Sequence, residues 1–332
     1  MITACLLCSR SLGHARLSLL QYLREHARYT GAKSSCTQGG CGACNVMMTR
    51  WTGSSWDHRS INACLRPVLA CDGMSITTVE GIGSKRDSFH PVQERMAKCN
   101  GSQCGFCTPG HVMSMYSLLR ETTEASQPLE LKTIENRFDG NICRCTGYRS
   151  IMSAMHSFAS EGSPDLDVNA IEGADSAPFE PYDPARDANV GTPDELKQYT
   201  PSNVTISDRH ATWHQCTTIQ QAVDLVAANP DTSKIVCANT STGPWGADST
   251  TQVIVDVSKV AELGGIDVSA SGVTFGATTT LTDVMNTFRN NASVSPGSFP
   301  KLADHIAMVA SWQVSLSSSS SLFLSLSVFA LN

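Results

Sequence analysis

The spacing of apolar positions changes along the chain, and each change marks a different predicted domain. Leucines at helical spacing predict a helix over residues 17–29. A glycine-rich loop follows, and short apolar runs predict strands over residues 45–50 and 75–79. This combination predicts a small mixed α/β domain over residues 1–84.

From residue 91 onward the apolar spacing is helical. Thr108 is predicted to be an N-cap with Pro109 at the first helical position, and Thr133 to cap a short helix. The fourth helix is marked by Ile151, Met155 and Phe158. Four short helices with brief connections predict a bundle over residues 85–160.

A strongly acidic stretch separates these two domains from the rest of the chain. Residues 160–200 hold ten acidic and two basic side chains, a net charge of −8, so the remainder carries +2 of the overall −6. Proline, alanine and glycine are frequent there, and no apolar period is visible. This composition predicts a solvated linker over residues 161–208.

Residues 209–314 are predicted to form another region of mixed helices and strands. Thr217 and Gln220 predict a capping box ahead of an apolar helix, and Thr280 starts a further helix. The predicted strands cover residues 234–237, 253–257, 266–269 and 273–277, the last two as a hairpin.

Residues 315–332 consist almost entirely of Ser, Leu, Phe and Val, unlike the pattern before them. Their apolar part is too short to cross a bilayer. We therefore expect residues 315–332 to be an aberrant tail rather than part of the preceding domain.

Composition narrows the function classes. Of the 332 residues, 41% are apolar and 16% charged, which excludes wholesale disorder. The net charge of −6 argues against a protein that binds nucleic acid through phosphate contacts. No signal peptide or membrane span is visible, so we expect a cytoplasmic protein with reduced thiols. Fourteen reduced cysteines suggest metal.

Three cysteines in the glycine-rich loop have the C-x4-C-x2-C spacing of plant-type 2Fe-2S sites. They are Cys36, Cys41 and Cys44, and Cys64 follows from a separate segment. Glycines allow the positive φ angles that a loop needs to place three thiolates around one cluster. A zinc site or unligated thiols are the alternatives, but zinc favours paired knuckles over three cysteines in one glycine loop.

A second set of cysteines consists of Cys104, Cys107, Cys143 and Cys145. Each pair is predicted to lie beside the N-terminus of a helix, where free N–H groups favour an anionic cluster. The spacing alone leaves zinc and iron–sulfur both open. The other cysteines are Cys5 and Cys8, which have no partner pair, and Cys71, Cys99, Cys216 and Cys237, which are predicted to be small buried hydrophobes.

Residues 15–160 resemble the two iron–sulfur domains of the molybdenum-flavin hydroxylases, the xanthine dehydrogenase and aldehyde oxidase family. The resemblance is carried by CTQGGCGACNV, NACLRPVLACDGMSITTVEGIG, GSQCGFCTPGHVMSMYSLLR and FDGNICRCTGYRSI. It implies an α+β chain with a β-grasp plant-ferredoxin-like domain and a four-helix bundle, each with one 2Fe-2S cluster on its four cysteines. It also implies that Gln103 and Cys145 lie against a molybdenum pterin cofactor, which makes the helical-domain cluster the electron entry point.

Residues 212–314 resemble the start of the family's FAD-binding domain, of the PCMH type. The string KIVCANTSTG implies a strand followed by a loop that offers backbone N–H groups to the flavin pyrophosphate. Its implied FAD-binding residues are Ile235, Val236, Cys237, Ala238, Asn239, Thr240, Ser241 and Thr242. The family usually has glycine where this chain has Ala238, so a positive φ there would make the methyl group costly.

The family's second flavin loop and its molybdenum domain do not follow Val314, so the flavin domain is expected to be truncated. The resemblance implies the electron-transfer portion of such an oxidoreductase, a separate molybdenum domain or subunit as partner, and a homodimer for the complete enzyme. The alternatives are an iron–sulfur and flavin subunit of a multi-subunit hydroxylase, and a non-catalytic metal-binding remnant. The sequence leaves substrate, electron acceptor, and the choice between xanthine dehydrogenase and aldehyde oxidase open.

Overall fold

In the computed structural model of the chain, the described residues are 14–161, 179–238, 250–270, 272–309 and 327–329. They fall into two compact units. The first contains Leu20–Cys64 and Gly73–Tyr199. The second contains residues 14–19 and Leu65–Asp72, together with the described residues from Thr200 onward.

A three-stranded antiparallel sheet lies in the first unit. Its strands are β1 (Asn45–Trp51), β2 (Trp56–Asn62) and β3 (Ser75–Thr77), in the order β2-β1-β3. Helix α1 (Leu19–Gln21) precedes the sheet in the chain and continues as a π-helical turn over Tyr22–His26. The predicted helix is therefore confirmed over a shorter range, and β1 is confirmed.

Two strand predictions need correction. The predicted strand over residues 75–79 ends early, because Val79–Gly81 forms a 3-10 turn. Strand β2 was not predicted, because its sequence is mostly polar. His58 and Ser60 in this strand are nevertheless buried. Their burial depends on tertiary neighbours that an apolar pattern does not record.

Four helices complete the first unit and confirm the predicted bundle. They are α2 (Pro91–Lys98), α3 (Thr108–Glu124), α4 (Leu131–Arg137) and α5 (Arg149–His156). Their apolar faces enclose one core that includes Val92, Met113, Tyr116, Ile134 and Ile151.

Two predicted caps in this bundle are wrong. Cys107 is the N-cap of α3, and Thr108 lies inside the helix, where its hydroxyl meets the Ser102 hydroxyl at 2.8 Å. Glu130 precedes α4, so Thr133 is an interior residue. In both cases a threonine near a helix start was mistaken for its boundary.

The solvated-linker prediction is wrong for residues 179–199, which we call the strap. The strap contains 3-10 turns over Pro184–Asp187 and Asp194–Gln198, and it packs on the helical bundle within the first unit. Asp187 is only 2% exposed, and its carboxylate meets His90 at 2.9 Å. Residues 162–178 of the predicted linker lie outside the described residues.

The second unit contains a four-stranded sheet and a helix. The strands are β4 (Val204–Ser207), β5 (Thr212–Gln215), β6 (Ser233–Val236) and β7 (Val253–Asp256), in the order β4-β5-β7-β6. Strands β5, β7 and β6 are parallel, and helix α6 (Ile219–Ala228) connects β5 to β6. The capping box of α6 is formed by Thr218 and Gln221, one position beyond the predicted pair. Strand β4 corrects the C-terminal end of the predicted linker.

A second sheet and two helices follow. Strands β8 (Ile266–Ser269) and β9 (Gly272–Phe275) form the predicted hairpin, and Thr280 caps α7 (Leu281–Asn290) as predicted. Helix α8 (Phe299–Val309) was not predicted. Strand β10 (Ser327–Phe329) pairs antiparallel with β9, so part of the predicted aberrant tail belongs to this sheet.

The architecture as a whole confirms the α+β prediction. Cys71, Cys99 and Cys216 are buried, as predicted, whereas Cys237 is half-buried. Within the described residues, every helix is too short or too polar to traverse a bilayer.

Candidate functional site

Strand pairing brings the first set of cysteines together. Asn45, the first residue of β1, pairs with Asn62, the last residue of β2. Cys44 directly precedes Asn45, and Cys64 lies two residues beyond Asn62, so the antiparallel register places these two cysteines side by side. The Cys64 thiol is close enough to raise the pKa of Cys44.

The loop before β1 curls so that its other two cysteines also meet. Thr37, Gly39 and Gly42 all have positive φ angles, of 56°, 76° and 67°. The Cys36 thiol is close enough to contribute to the lowered pKa of Cys41. These positive φ angles allow the close turn that the glycine-rich sequence predicts.

The protonation preferences of this set differ from thiol to thiol. Burial opposes ionisation of Cys41, yet hydrogen bonds from the backbone of Cys36 and Ala43 lower the pKa of its thiol. The hydrogen bond with Cys64, together with burial, raises the pKa of Cys44 well above its ordinary value. Cysteine ligands must be deprotonated, so a thiophilic metal that binds here would displace the protons of these thiols.

The second set is assembled by two loops of the helical bundle. Cys104 and Cys107 precede α3, and Cys143 and Cys145 precede α5. The neighbouring thiols that shift each other's pKa are Cys104 with Cys145 and Cys107 with Cys143. The predicted position of Cys107 at a helix N-terminus is confirmed, because it is the N-cap of α3.

In each pair of the second set, the pKa of one thiol is lowered and the pKa of the other is raised. The backbone N–H of Phe106 and the Cys145 thiol lower the pKa of Cys104, and the same thiol contact raises the pKa of Cys145. Burial and the contact with Cys143 raise the pKa of Cys107 to about 12. Burial opposes ionisation of Cys143, but hydrogen bonds from Thr146 lower the pKa of its thiol.

None of the twelve cysteines in the described parts of the chain forms a disulfide. No three His, Cys, Asp or Glu side chains there converge as the ligands of a single ion. The eight cysteines of the two sets meet instead as four thiol pairs. A 2Fe-2S cluster is held by four thiolates, so the two thiol pairs of each set supply the number of ligands that one cluster needs.

The two sets differ in exposure. Cys44 is buried, whereas Cys104 and Cys145 are exposed. Gln103 is also exposed, next to Cys104. Three large apolar side chains near these thiols are exposed as well, namely Phe106 at 46%, Ile142 at 54% and Tyr148 at 39%. The second set therefore opens onto an apolar surface.

The strand and loop predicted to bind FAD are described only in part. Ile235 and Val236 lie on β6, and Cys237 and Ala238 follow at the carboxyl end of the parallel strands. Ala238 has a φ angle of 58°, which confirms that this position requires positive φ. Asn239, Thr240, Ser241 and Thr242 lie outside the described residues.

Asp256, at the end of β7, is a residue that the sequence analysis missed. It is fully buried, and burial raises the pKa of its carboxyl. Its Oδ1 accepts hydrogen bonds from the backbone N–H groups of Ala238 (3.4 Å) and Ser258 (3.0 Å), and its Oδ2 accepts one from the Ser258 hydroxyl (3.0 Å). Asp256 thus anchors the start of the predicted flavin loop. The sequence signal that could have identified Asp256 is an aspartate that ends an apolar strand.

Three family models match the chain in succession. A 2Fe-2S iron–sulfur cluster binding domain matches residues 13–72, and a [2Fe-2S] binding domain matches residues 78–156. An FAD binding domain in molybdopterin dehydrogenase matches residues 207–317. The two predicted 2Fe-2S domains and the predicted FAD-binding domain are therefore confirmed as domain types.

Curated relatives match most of the chain. The chain is 39% identical over 293 residues to a xanthine dehydrogenase of Drosophila subobscura, which covers 80% of the chain and 21% of that protein. It is 37% identical over 283 residues to a xanthine dehydrogenase/oxidase of Mus musculus, covering 78% and 21%. It is 38% identical over 299 residues to aldehyde oxidase 1 of Rattus norvegicus, covering 81% and 22%. The chain thus spans about a fifth of the length of these relatives.

Proposed function

Because the chain belongs to the xanthine dehydrogenase and aldehyde oxidase family, we propose that it performs the electron-transfer part of such an oxidoreductase. Its cysteines would hold two 2Fe-2S clusters, which would supply one-electron chemistry between a molybdenum centre and FAD. The observation that carries this proposal is the convergence of eight cysteines into two sets, each made of two thiol pairs.

The first cluster would be held by Cys36, Cys41, Cys44 and Cys64. Thiolates are the ligands that iron–sulfur clusters require, and the positive-φ glycine loop brings backbone amides close to the sulfurs. The amide N–H of Gln38 points at the Cys36 sulfur at 3.4 Å. Such contacts stabilise a negative cluster and influence its reduction potential.

The second cluster would be held by Cys104, Cys107, Cys143 and Cys145. When bound, both clusters supply reversible one-electron chemistry. The chain's own residues position the thiolates: Thr146 lies 3.2 Å from the Cys143 sulfur, and the Tyr148 hydroxyl accepts the Cys143 N–H at 3.0 Å.

The exposed apolar surface around Phe106, Ile142 and Tyr148 supports a place for this second cluster at the electron entry. We propose that a molybdenum-bearing domain or subunit covers this surface and contacts Gln103 and Cys145. The same surface favours the alternative of an iron–sulfur and flavin subunit, because a separate subunit would bury the same side chains. Homodimerisation belongs to the proposal for the complete enzyme.

The flavin half of the proposal rests on the end of β6 and on Asp256. Residues Ile235–Thr242 would hold FAD, with Asp256 fixing the backbone at Ala238. The free thiols of the described residues support the cytoplasm as the compartment, because it keeps thiols reduced.

Metal analysis of the aerobically purified chain tests the proposal. We expect about four irons and four acid-labile sulfides per chain, two per cluster, with 2Fe-2S visible absorption. Cys107→Ser should remove the iron of one cluster. Cys99→Ser is the control, because Cys99 is a buried cysteine that belongs to neither set.

Bound zinc without visible absorption would contradict electron transfer and favour a metal-binding remnant. Equal iron loss in Cys99→Ser and Cys107→Ser would contradict the ligand assignment. Flavin released by denaturation, counted per chain, tests the FAD half separately.

A further inference from the structure

A backbone hydrogen bond connects the two cysteine loops directly. The carbonyl oxygen of Cys41 accepts a hydrogen bond from the N–H of Ile142 at 3.0 Å. Cys41 belongs to the first set, and Ile142 immediately precedes Cys143 of the second set. A short covalent path, interrupted by this single hydrogen bond, therefore joins a sulfur of one set to a sulfur of the other.

Glycines make this close approach of backbones achievable. A Cβ atom at Gly110, in the first turn of α3, would lie 2.1 Å from the carbonyl oxygen of Gly42. A Cβ at Gly42 would lie 2.5 Å from the carbonyl oxygen of Gly140. Any side chain at these positions would force the two loops apart.

A buried polar network fixes the same junction. The hydroxyl of Ser114 on α3 donates to the Asn141 Oδ1 at 2.9 Å and accepts from the Asn45 Nδ2 at 2.8 Å. The Asn141 Nδ2 lies 3.5 Å from the carbonyl oxygen of Gly42. The exposed fractions of Asn45, Ser114 and Asn141 are 1%, 0% and 4%.

This network ties together the chain on both sides of the junction. Asn45 directly follows Cys44, and Asn141 lies two residues before Cys143. Buried amides are costly unless they are hydrogen-bonded, and bonded networks of this kind rigidify their surroundings. The network therefore holds the two cysteine loops at one fixed separation.

We infer that Ser114 and Asn141 are positioning residues for electron transfer between the two clusters, and that the Cys41–Ile142 hydrogen bond is the contact through which the electron passes. This inference rests on the function proposed above. One electron leaves the site held by the second cysteine set, which is oxidised, and enters the site held by the first set, which is reduced. No bond breaks and no proton moves.

Ser114→Ala tests the inference, and Ser117→Ala is its matched control. Both serines are fully buried on α3, one turn apart, but the Ser117 hydroxyl donates only to the carbonyl of Met113 in its own helix. The measurements are the rate at which the two clusters exchange an electron after flash photoreduction, and the spin–spin splitting of the fully reduced protein in low-temperature EPR.

We expect Ser114→Ala to retain both clusters, to lower the exchange rate several-fold and to reduce the splitting. Ser117→Ala should match the wild type in both measurements. Asn141→Asp is the second variant. It keeps the acceptor for Ser114 but removes the donor toward Gly42. We therefore expect this variant also to have a lower exchange rate and a smaller splitting.

A wild-type rate and splitting in Ser114→Ala and Asn141→Asp, with both clusters present, would overturn the inference alone. An equal loss in Ser117→Ala would overturn it as well, because a general packing effect would then explain the result. Absence of clusters from the wild-type chain would overturn the proposed function itself.

Discussion

The Nε2 of His90 donates a hydrogen bond to the carboxylate of Asp187 at 2.9 Å, across 97 positions of the chain. The Nδ1 of His90 accepts from the backbone N–H of Val92 at 3.1 Å, so the ring proton lies on Nε2. The Tyr182 hydroxyl donates to the same carboxylate oxygen at 2.6 Å. Asp187 therefore fastens the strap to the helical bundle.

Asp187→Ala should detach the strap and destabilise the first unit. The substitution leaves the buried donors of His90 and Tyr182 without their acceptor, which costs about 2–4 kcal/mol of unfolding free energy in total. Urea unfolding measures the loss, and faster hydrogen exchange over residues 179–199 locates it. Asp194→Ala is the control, because Asp194 lies in the same strap with an exposed side chain. Similar losses in both variants would contradict the role of Asp187.

The stability of the chain should fall as the pH drops below about 6.5, the ordinary value for histidine. Burial and the nearby Arg120 guanidinium lower the pKa of His58 to about 3. Below this pH, His58 therefore binds a proton in the unfolded chain but stays neutral in the folded chain. The resulting loss is at most about 1.4 kcal/mol per pH unit.

Unfolding free energies at several pH values between 7.5 and 5 test this dependence. His58→Gln should reduce the slope by about the contribution of one proton. An unaltered slope in His58→Gln would show that another group takes up the proton.

Ala238→Gly should stabilise the second unit, although it removes a buried methyl group. Ala238 has a φ angle of 58°, a conformation that costs a residue with a Cβ about 1–2 kcal/mol and glycine almost nothing. We expect a gain of roughly 1 kcal/mol in thermal unfolding. The control Ala227→Gly, in an exposed position on α6, should destabilise by about as much. A loss in both variants would contradict strain at Ala238.

Gly110→Ala should destabilise the first unit and impair both cysteine sets together. The added methyl group would meet the Gly42 carbonyl at 2.1 Å, so backbone must move, and such overpacking costs about 1–3 kcal/mol or more. Thermal unfolding and iron content per chain measure the effect. Gly297→Ala is the control, because no atom lies within 4 Å of a Cβ added there. Full iron content and unchanged stability in Gly110→Ala would contradict the close approach.

Sequence patterns were sufficient to predict those elements whose structure depends on neighbours along the chain. Helical apolar spacing predicted the four-helix bundle, and Thr280 predicted the start of α7. Cap positions at Thr108, Thr133 and Thr217 were wrong by one or a few residues, because several polar residues near each helix start could serve and packing chose among them. The cysteine assignments and domain boundaries remain predictions that metal analysis can test.

By itself, the sequence determined the helical pattern of the bundle and predicted which cysteines belong to each set, because apolar spacing, cysteine spacing and glycine content are local properties of the chain. Only the tertiary structure decided which thiols meet, since the Asn45–Asn62 strand register brings Cys44 to Cys64. It also decided that the acidic strap is packed rather than solvated. An aspartate such as Asp187 is normally exposed, and it becomes buried only where distant donors such as His90 and Tyr182 satisfy its charge.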